Sequence, residues 1–185
     1  MGRQSADRIS TFPNSLPVPD FLTPYTGQVR VRVGGLLLNP AGDAVLLAGH
    51  RGLLPEGAVF WSPPGGGWRF GESLAEGVVR EFGEETGLQV RVGELLHVHE
   101  FRAAATGLQA VELFFGVEAV DAAAVPRLGY DPEHTATEQI LTNLRWLTPA
   151  DWRALPPAEV HPVVRAASSI ADLLTGPSTR HFRPA

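Results

Sequence analysis

Three glutamates, Glu81, Glu84 and Glu85, stand at helical spacing directly behind a glycine-rich turn, in a run that extends from Gly65 to Leu88. At about 100° per residue they share an arc of roughly 100° on one helix. So much like charge on one edge repels itself, and hard oxygen ligands of this kind suit Mg2+ or Mn2+. Taken alone, three carboxylates would more often be a solvated helix face. The flanking residues sharpen the reading. Ser73 is placed to cap the helix, with Glu76 as its partner three residues on, and Gly87 is placed to end it. Between the caps, Leu74, Ala75, Val78, Val79 and Phe82 form an apolar stripe that would dock on a sheet, with the carboxylate edge beside it. Arg80 lies four residues from both Glu76 and Glu84, so short ion pairs can hold carboxylates on either side. Gly77 and Gly83 sit inside this helix, where a glycine costs roughly 1 kcal/mol against alanine, so propensity was not the main constraint.

Gly66, Glu72, Arg80, Glu81, Phe82, Glu84, Glu85, Gly87 and Leu88 reproduce the pattern Gly-x5-Glu-x7-Arg-Glu-U-x-Glu-Glu-x-Gly-U without a mismatch, U being a bulky apolar residue. The stretch therefore resembles the Nudix box, and its entry Trp61-Ser62-Pro63-Pro64-Gly65 is similar to the aromatic-Pro-Gly approach common in that family. Nine constrained positions at fixed spacing are far more specific than a lone glycine motif. One departure is Arg69, where many members carry a glutamate before the second glycine turn.

The resemblance implies an α/β fold, a Nudix-like α/β/α sandwich around a mixed β-sheet, and hydrolysis of a diphosphate linked to a nucleoside or other organic group. It implies a Mg2+ or Mn2+ cofactor held by Glu81, Glu84, Glu85 and the backbone carbonyl of Gly65, with Glu72 and Arg80 as supporting positions behind them. Catalytic work is then expected of Glu81, Glu84 and Arg80. Outside the box, Glu138 lies where family members often place a further metal-binding or base glutamate, with Glu133 as its competitor. Arg51, Trp68, Arg69 and Glu112 are the candidate substrate contacts: Arg51 follows a strand end beside His50, Trp68 and Phe70 could stack a base, and Glu112 could line the pocket or lie on an exposed sheet face. His97 and His99 alternate along a strand and share a face, a pattern more often ordinary than metal-binding.

Along the 185 residues, 1–27 read as an extended arm, because Pro13, Pro17, Pro19 and Pro24 deny helix and central strand. Residues 28–175 form the expected domain and 176–185 a tail. Within the domain, Gln28 to Leu38, with valines and arginines alternating, and Ala44 to Ala48 read as a hairpin across a turn at Asn39 to Asp43. Val59 to Ser62 would be a short strand, Gln89 to Arg102 and Gln109 to Val120 two longer ones, and Leu141 to Leu147 another. Thr148 would cap a short helix holding Trp152, and Glu159 to Leu174 would be one closing helix.

A net charge of −5, with all fifteen basic residues arginine, disfavours a protein that grips nucleic acid through a broad basic surface. With no cysteine, neither disulfides nor thiolate metal sites are available. No apolar run reaches bilayer-spanning length and Met1 to Ser10 lacks a signal-peptide core, so a cytoplasmic address without membrane contact is expected. The expected partner is a small nucleotide-type substrate; the oligomeric state, a homodimer included, is open. Subgroup markers expected 15 to 17 residues past the box are replaced by Ala103, Ala104 and Ala105, so the box names no substrate: a nucleotide sugar, an ADP-ribose-like compound and a nucleoside triphosphate all fit. The alternative is a non-catalytic domain of the same family that binds a nucleotide derivative and regulates a partner. Diphosphate isomerisation on this fold would need further catalytic side chains, notably a cysteine.

Overall fold

The computed structural model describes residues 20–54, 57–103, 106–130 and 139–175. The Val/Arg alternation does form a strand, β1 (Val29–Leu37), but its second half is buried on both faces. Residues Val33 and Leu37 pack with Val78 and Phe82 of helix α1 (Leu74–Thr86). Leu36, on the opposite face, joins a second core. Glycines Gly65–Gly67, read above as a turn, form a short strand of their own, β4, antiparallel to β1. The other neighbour of β1 is β6 (Leu108–Ala119), which runs parallel to it and pairs antiparallel with β5 (Val90–Ala103). The result is a mixed four-stranded sheet in the order β4-β1-β6-β5.

The expected hairpin divides between two sheets. Strand β1 and β2 (Val45–His50) share a single bridge, Leu38 to Val45, across a turn held by Asn39 and Asp43. Beyond that bridge β2, buried along its whole length, enters a separate three-stranded sheet between β3 (Phe60–Ser62) and β7 (Leu141–Leu147). The turn swings the chain from one sheet to the other because a strand apolar on both faces has to be covered on both.

Helix α1 has the expected ends. Ser73 and Glu76 form a reciprocal capping box, and Gly87 closes the helix with a left-handed backbone at φ 67°. Its Val78 and Phe82 are fully buried, each contributing about 1.5–3 kcal/mol relative to exposure. A second capping box, Thr148 with Asp151, opens α2 (Pro149–Ala154), where Trp152 is fully buried.

The single closing helix expected over residues 159–174 is instead three pieces: a 3-10 turn at Pro157–Glu159, α3 (Pro162–Ala166) and α4 (Ile170–Thr175). Pro162 cannot donate to a preceding turn, so it begins a helix, with His161 as N-cap. The next break falls at Ser168 and Ser169, whose side chains and backbone bond with Asp172. Helices α2 to α4 supply Trp152, Val163, Val164 and Leu173 to the core opposite α1, so the sheets lie between helical layers. The fold is α/β with a mixed sheet, as expected. Of the arm, Asp20–Tyr25 winds into a 3-10 turn despite Pro24; residues 1–19 and the tail from 176 lie outside the described residues.

Candidate active site

The box brings its residues to one place through a guanidinium and a pair of glycines. The Arg80 guanidinium grips Glu72 with two bonds, Nε to Oε2 at 3.0 Å and Nη2 to Oε1 at 2.8 Å. With Nη1 it donates to Glu81 Oε1 at 2.6 Å and to Glu84 Oε2 at 3.2 Å, and with Nη2 to the Gly67 carbonyl at 2.9 Å. The expected bridge to Glu76 is not made, because that carboxylate is committed to the backbone N–H of Ser73. Arg80 thus ties helix α1 to strand β4 and to the Glu72 loop in front of it. Glu72 is held below the usual carboxylate range chiefly by its hydrogen bond from Arg80.

Two of the three box carboxylates are buried. Glu85 accepts a 2.9 Å hydrogen bond from the Gly65 N–H, and its other oxygen lies 3.8 Å from His50 Nε2. Glu81 presses against Gly66 so closely that a Cβ there would fall 2.6 Å from its carboxylate, so any side chain at 66 would push that carboxylate out of place. Burial pushes the Glu81 carboxyl up to about 7; the Arg80 bond opposes this, while the charges of Glu85 and Glu84 add to it. Glu84 is half-buried and also meets Arg69, whose Nη1 lies 3.5 Å from Oε1. At position 69 this chain therefore sets a cation against the cluster.

The chemistry of the donors suits a hard divalent cation: Glu81, Glu84 and Glu85 are carboxylates on one helix, Glu85 lies against the Gly65 backbone, and the Glu81 carboxyl is raised by burial and by its neighbours. Residues Glu81, Glu84, Glu85 and Gly65 would hold it, and Glu72 and Arg80 stand behind them.

The candidate substrate contacts separate. Trp68 is 42% exposed beside this cluster, its Nε1 bonded to the Glu72 carbonyl, and Phe70 is fully exposed on the same loop. Arg51 is exposed just past β2, its N–H donating to the Ile140 carbonyl. Glu112 is 4% exposed and is spoken for on both oxygens. Its Oε1 accepts from Arg32 Nη1 at 2.7 Å, and its Oε2 lies 2.9 Å from His99 Nδ1 and 2.9 Å from His161 Nε2. Burial raises this carboxyl, but His161, His99 and Arg32 outweigh it and hold it well below the ordinary value. His161 is pushed down by its own burial.

Of the two strand histidines, His97 bonds the Leu173 carbonyl at 2.6 Å and only His99 joins the cluster. His99, Glu112 and His161 place three potential ligand atoms within 4.8 Å of one another. However, His161 Nδ1 accepts the Val163 N–H, so the proton sits on Nε2 and points at Glu112, which satisfies the group without an ion. Sequence reasoning placed Arg32 on a strand face and did not name His161 at all. Arg32 had one signal: two arginines alternating with valines in a strand that continues into an apolar run. Glu138 and Glu133 lie outside the described residues. Their segment leaves the described chain at Tyr130, whose N–H bonds the Glu84 carbonyl.

A model of the NUDIX domain matches residues 28–166. The chain belongs to the Nudix family. Nudix hydrolase 5 of Arabidopsis thaliana is 32% identical over 85 residues, 46% of this chain but only 28% of that protein's own length. A MutT Nudix hydrolase from Burkholderia pseudomallei superposes with a TM-score of 0.58 at 27% identity, over 75% of this chain and 95% of that one. The MutT protein of Methanosarcina mazei Go1 gives 0.54 at 25% identity, over 71% and 86%. Among the described residues no helix is long and apolar enough to cross a membrane.

Proposed function

We propose that this Nudix chain is a pyrophosphohydrolase that cleaves the diphosphate bond of a small nucleoside-diphosphate derivative with the help of Mg2+ or Mn2+. The observation that carries the reading is the convergence of Glu81, Glu84 and Glu85 with the Gly65 backbone, tied together by Arg80 and the Glu85 bond to Gly65. A divalent cation bound there supplies neutralisation of the diphosphate and a more acidic water for attack at phosphorus. The chain's own part is positional. Arg80 fixes two ligand carboxylates at once, and its strong bonds to Glu72 and Glu81 keep it charged. Trp68, Phe70 and Arg51 are exposed, and are the side chains offered to a base and to phosphate oxygens. Glu138 serves as the water-activating base, since carboxylates that ligate a cation lose basicity.

The substrate class follows from charge: an acidic chain without a basic stripe takes a compact diphosphate and not a long phosphate backbone. The domain assigned to this chemistry is 28–175, and a cytoplasmic setting suits it. The test is a phosphate-release screen over nucleotide sugars, ADP-ribose-like compounds, nucleoside triphosphates and capped RNA, with Mg2+ and Mn2+. Turnover of a small compound that is lost on Glu84→Gln or Glu85→Gln supports the reading. Wild-type rates in both variants refute it, and tight binding without turnover moves the chain to the regulatory alternative.

A further inference from the structure

The Gly65 carbonyl, a proposed cation ligand, already has a partner. Arg32 Nη2 donates to it at 3.1 Å while Nη1 of the same guanidinium donates to Glu112 at 2.7 Å. The bridge spans two strands, β1 and β6, in which Arg32 and Glu112 sit directly opposite each other, and reaches a third, β4. It is not a loose surface contact. Glu112 is buried, and its second oxygen is fixed by His99 from β5 and by His161, whose own ring is pinned as N-cap of α3. Four elements therefore converge to aim one guanidinium at the backbone oxygen where the cation is to bind. The guanidinium is not saturated: Arg32 Nε is buried without a hydrogen-bond partner, and the side chain remains 28% exposed. A small void of about 10 Å3, room for one water at most, lies between Arg32, Glu112, Ser62 and Gly65.

A guanidinium on a carbonyl oxygen and a divalent cation on the same oxygen repel each other. We infer that Arg32 is a positioning residue that couples cation loading to substrate binding: its guanidinium competes with the cation for the Gly65 carbonyl, and the N–H groups that the cation displaces are directed to the substrate's diphosphate. The Glu112–His99–His161 cluster is the anchor that keeps the guanidinium in place through the exchange. A bidentate guanidinium suits both duties, since its planar fork addresses a carbonyl and a carboxylate in one state and phosphate oxygens in the other. This inference rests on the cation site proposed above.

The two duties pull binding in opposite directions on substitution, which a purely structural arginine would not do. The experiment titrates Mn2+ into substrate-free protein, following free Mn2+ by electron paramagnetic resonance. It then titrates methylenediphosphonate, a non-hydrolysable diphosphate, at saturating Mn2+. Arg32→Met should bind Mn2+ about tenfold to thirtyfold more tightly, the scale set by removing a unit charge about 4–6 Å from a divalent one in water. The same variant should bind the diphosphonate at least about fivefold more weakly, losing a charge-assisted pair of hydrogen bonds. Arg32→Gln, which removes the charge while keeping a hydrogen-bond donor, should move both affinities the same way. It also decides the matter if Arg32→Met fails to fold, as judged by thermal melting.

Unchanged or weaker Mn2+ binding in the folded variants overturns the inference. So does a second tight cation that is lost on His161→Gln, because the cluster would then be a metal centre in its own right and not an anchor. Glu85→Gln separates this from the underlying site: if the wild-type protein fails to bind Mn2+, or binds it equally well without Glu85, the cation site itself is refuted. If carboxylate-dependent Mn2+ binding is intact and only the Arg32 variants behave like wild type, the coupling alone falls.

Discussion

Glu81 supplies a prediction that can be worked from its burial and its charged neighbours. Its carboxyl is raised from 4.5 to about 7, first by burial. At about 1.4 kcal/mol per tenfold change in proton affinity, ionising Glu81 inside the fold costs about 3 kcal/mol more than ionising it in the unfolded chain. The folded state thus holds this proton more tightly than the unfolded state does. The stability it contributes is complete below pH 4.5 and is lost as the pH rises through 7. Between pH 5.5 and 8 the loss amounts to about 2 kcal/mol, or roughly 4–8 °C in Tm for a domain of this size. Glu81→Gln cannot ionise, yet it keeps an oxygen to accept the Arg80 bond.

The assay is thermal unfolding of both proteins in EDTA across that range, reading the difference between them so that every other titrating group cancels. The variant's Tm should gain on the wild type by those few degrees as the pH rises to 8. Adding Mg2+ at pH 8 should reverse the order, because the cation stabilises by mass action only the protein with the intact carboxylate set. Parallel pH profiles in EDTA would refute the account of Glu81 as a carboxyl that the fold keeps poorly ionised until a cation arrives.

Four further outcomes are expected. Glu84→Gln and Glu85→Gln should each lower turnover by orders of magnitude with the fold retained, since each removes a ligand from the ion that carries the chemistry; steady-state kinetics with circular dichroism decides it. Glu138→Gln should lower kcat far more than it raises KM and leave Mg2+-induced thermal stabilisation intact, whereas loss of that stabilisation would make Glu138 a ligand and unaltered kinetics would shift suspicion to Glu133. Capped or triphosphorylated RNA should be a poor substrate beside small nucleotide derivatives in a competition assay, and a strong RNA preference with steep salt dependence would overturn the charge argument. Gly129→Ala should destabilise by about 1–3 kcal/mol on thermal melting, because a Cβ there would overlap the Glu84 carbonyl at the point where Gly129 and Tyr130 donate to the end of α1.

What the sequence disclosed and what it hid divide along the range of the forces involved. Ser73 with Glu76, Thr148 as a cap, and Gly87 were legible because each pairs with a backbone group three or four residues away, a geometry that a local pattern fully specifies. The box carboxylates were legible for the same reason, sharing one helix edge. The closing helix failed on a local signal that was present and passed over, since Pro162 allows a helix to begin but not to run through. Glu112 was hidden for a different reason. Its partners stand 13, 49 and 80 residues away, and they meet only because β6 is parallel to β1 and α3 starts where Val160 bridges to Trp61.

A parallel neighbour cannot be inferred from alternation, which says that a strand has two faces but not which strand lies beside it. Seen in β6 alone, Glu112 was as compatible with an exposed sheet face as with a pocket. In the assembled sheet it sits opposite the half-buried Arg32, and a carboxylate buried there needs a cationic partner, because its charge left alone in the interior would cost several kcal/mol. The alternating arginines of β1 were therefore half of a pair whose other half the sequence placed 80 residues away. With that pair identified, the valine face of β1 is occupied by α1 and the arginine face by the machinery behind Gly65, so one short strand serves both the core and the site.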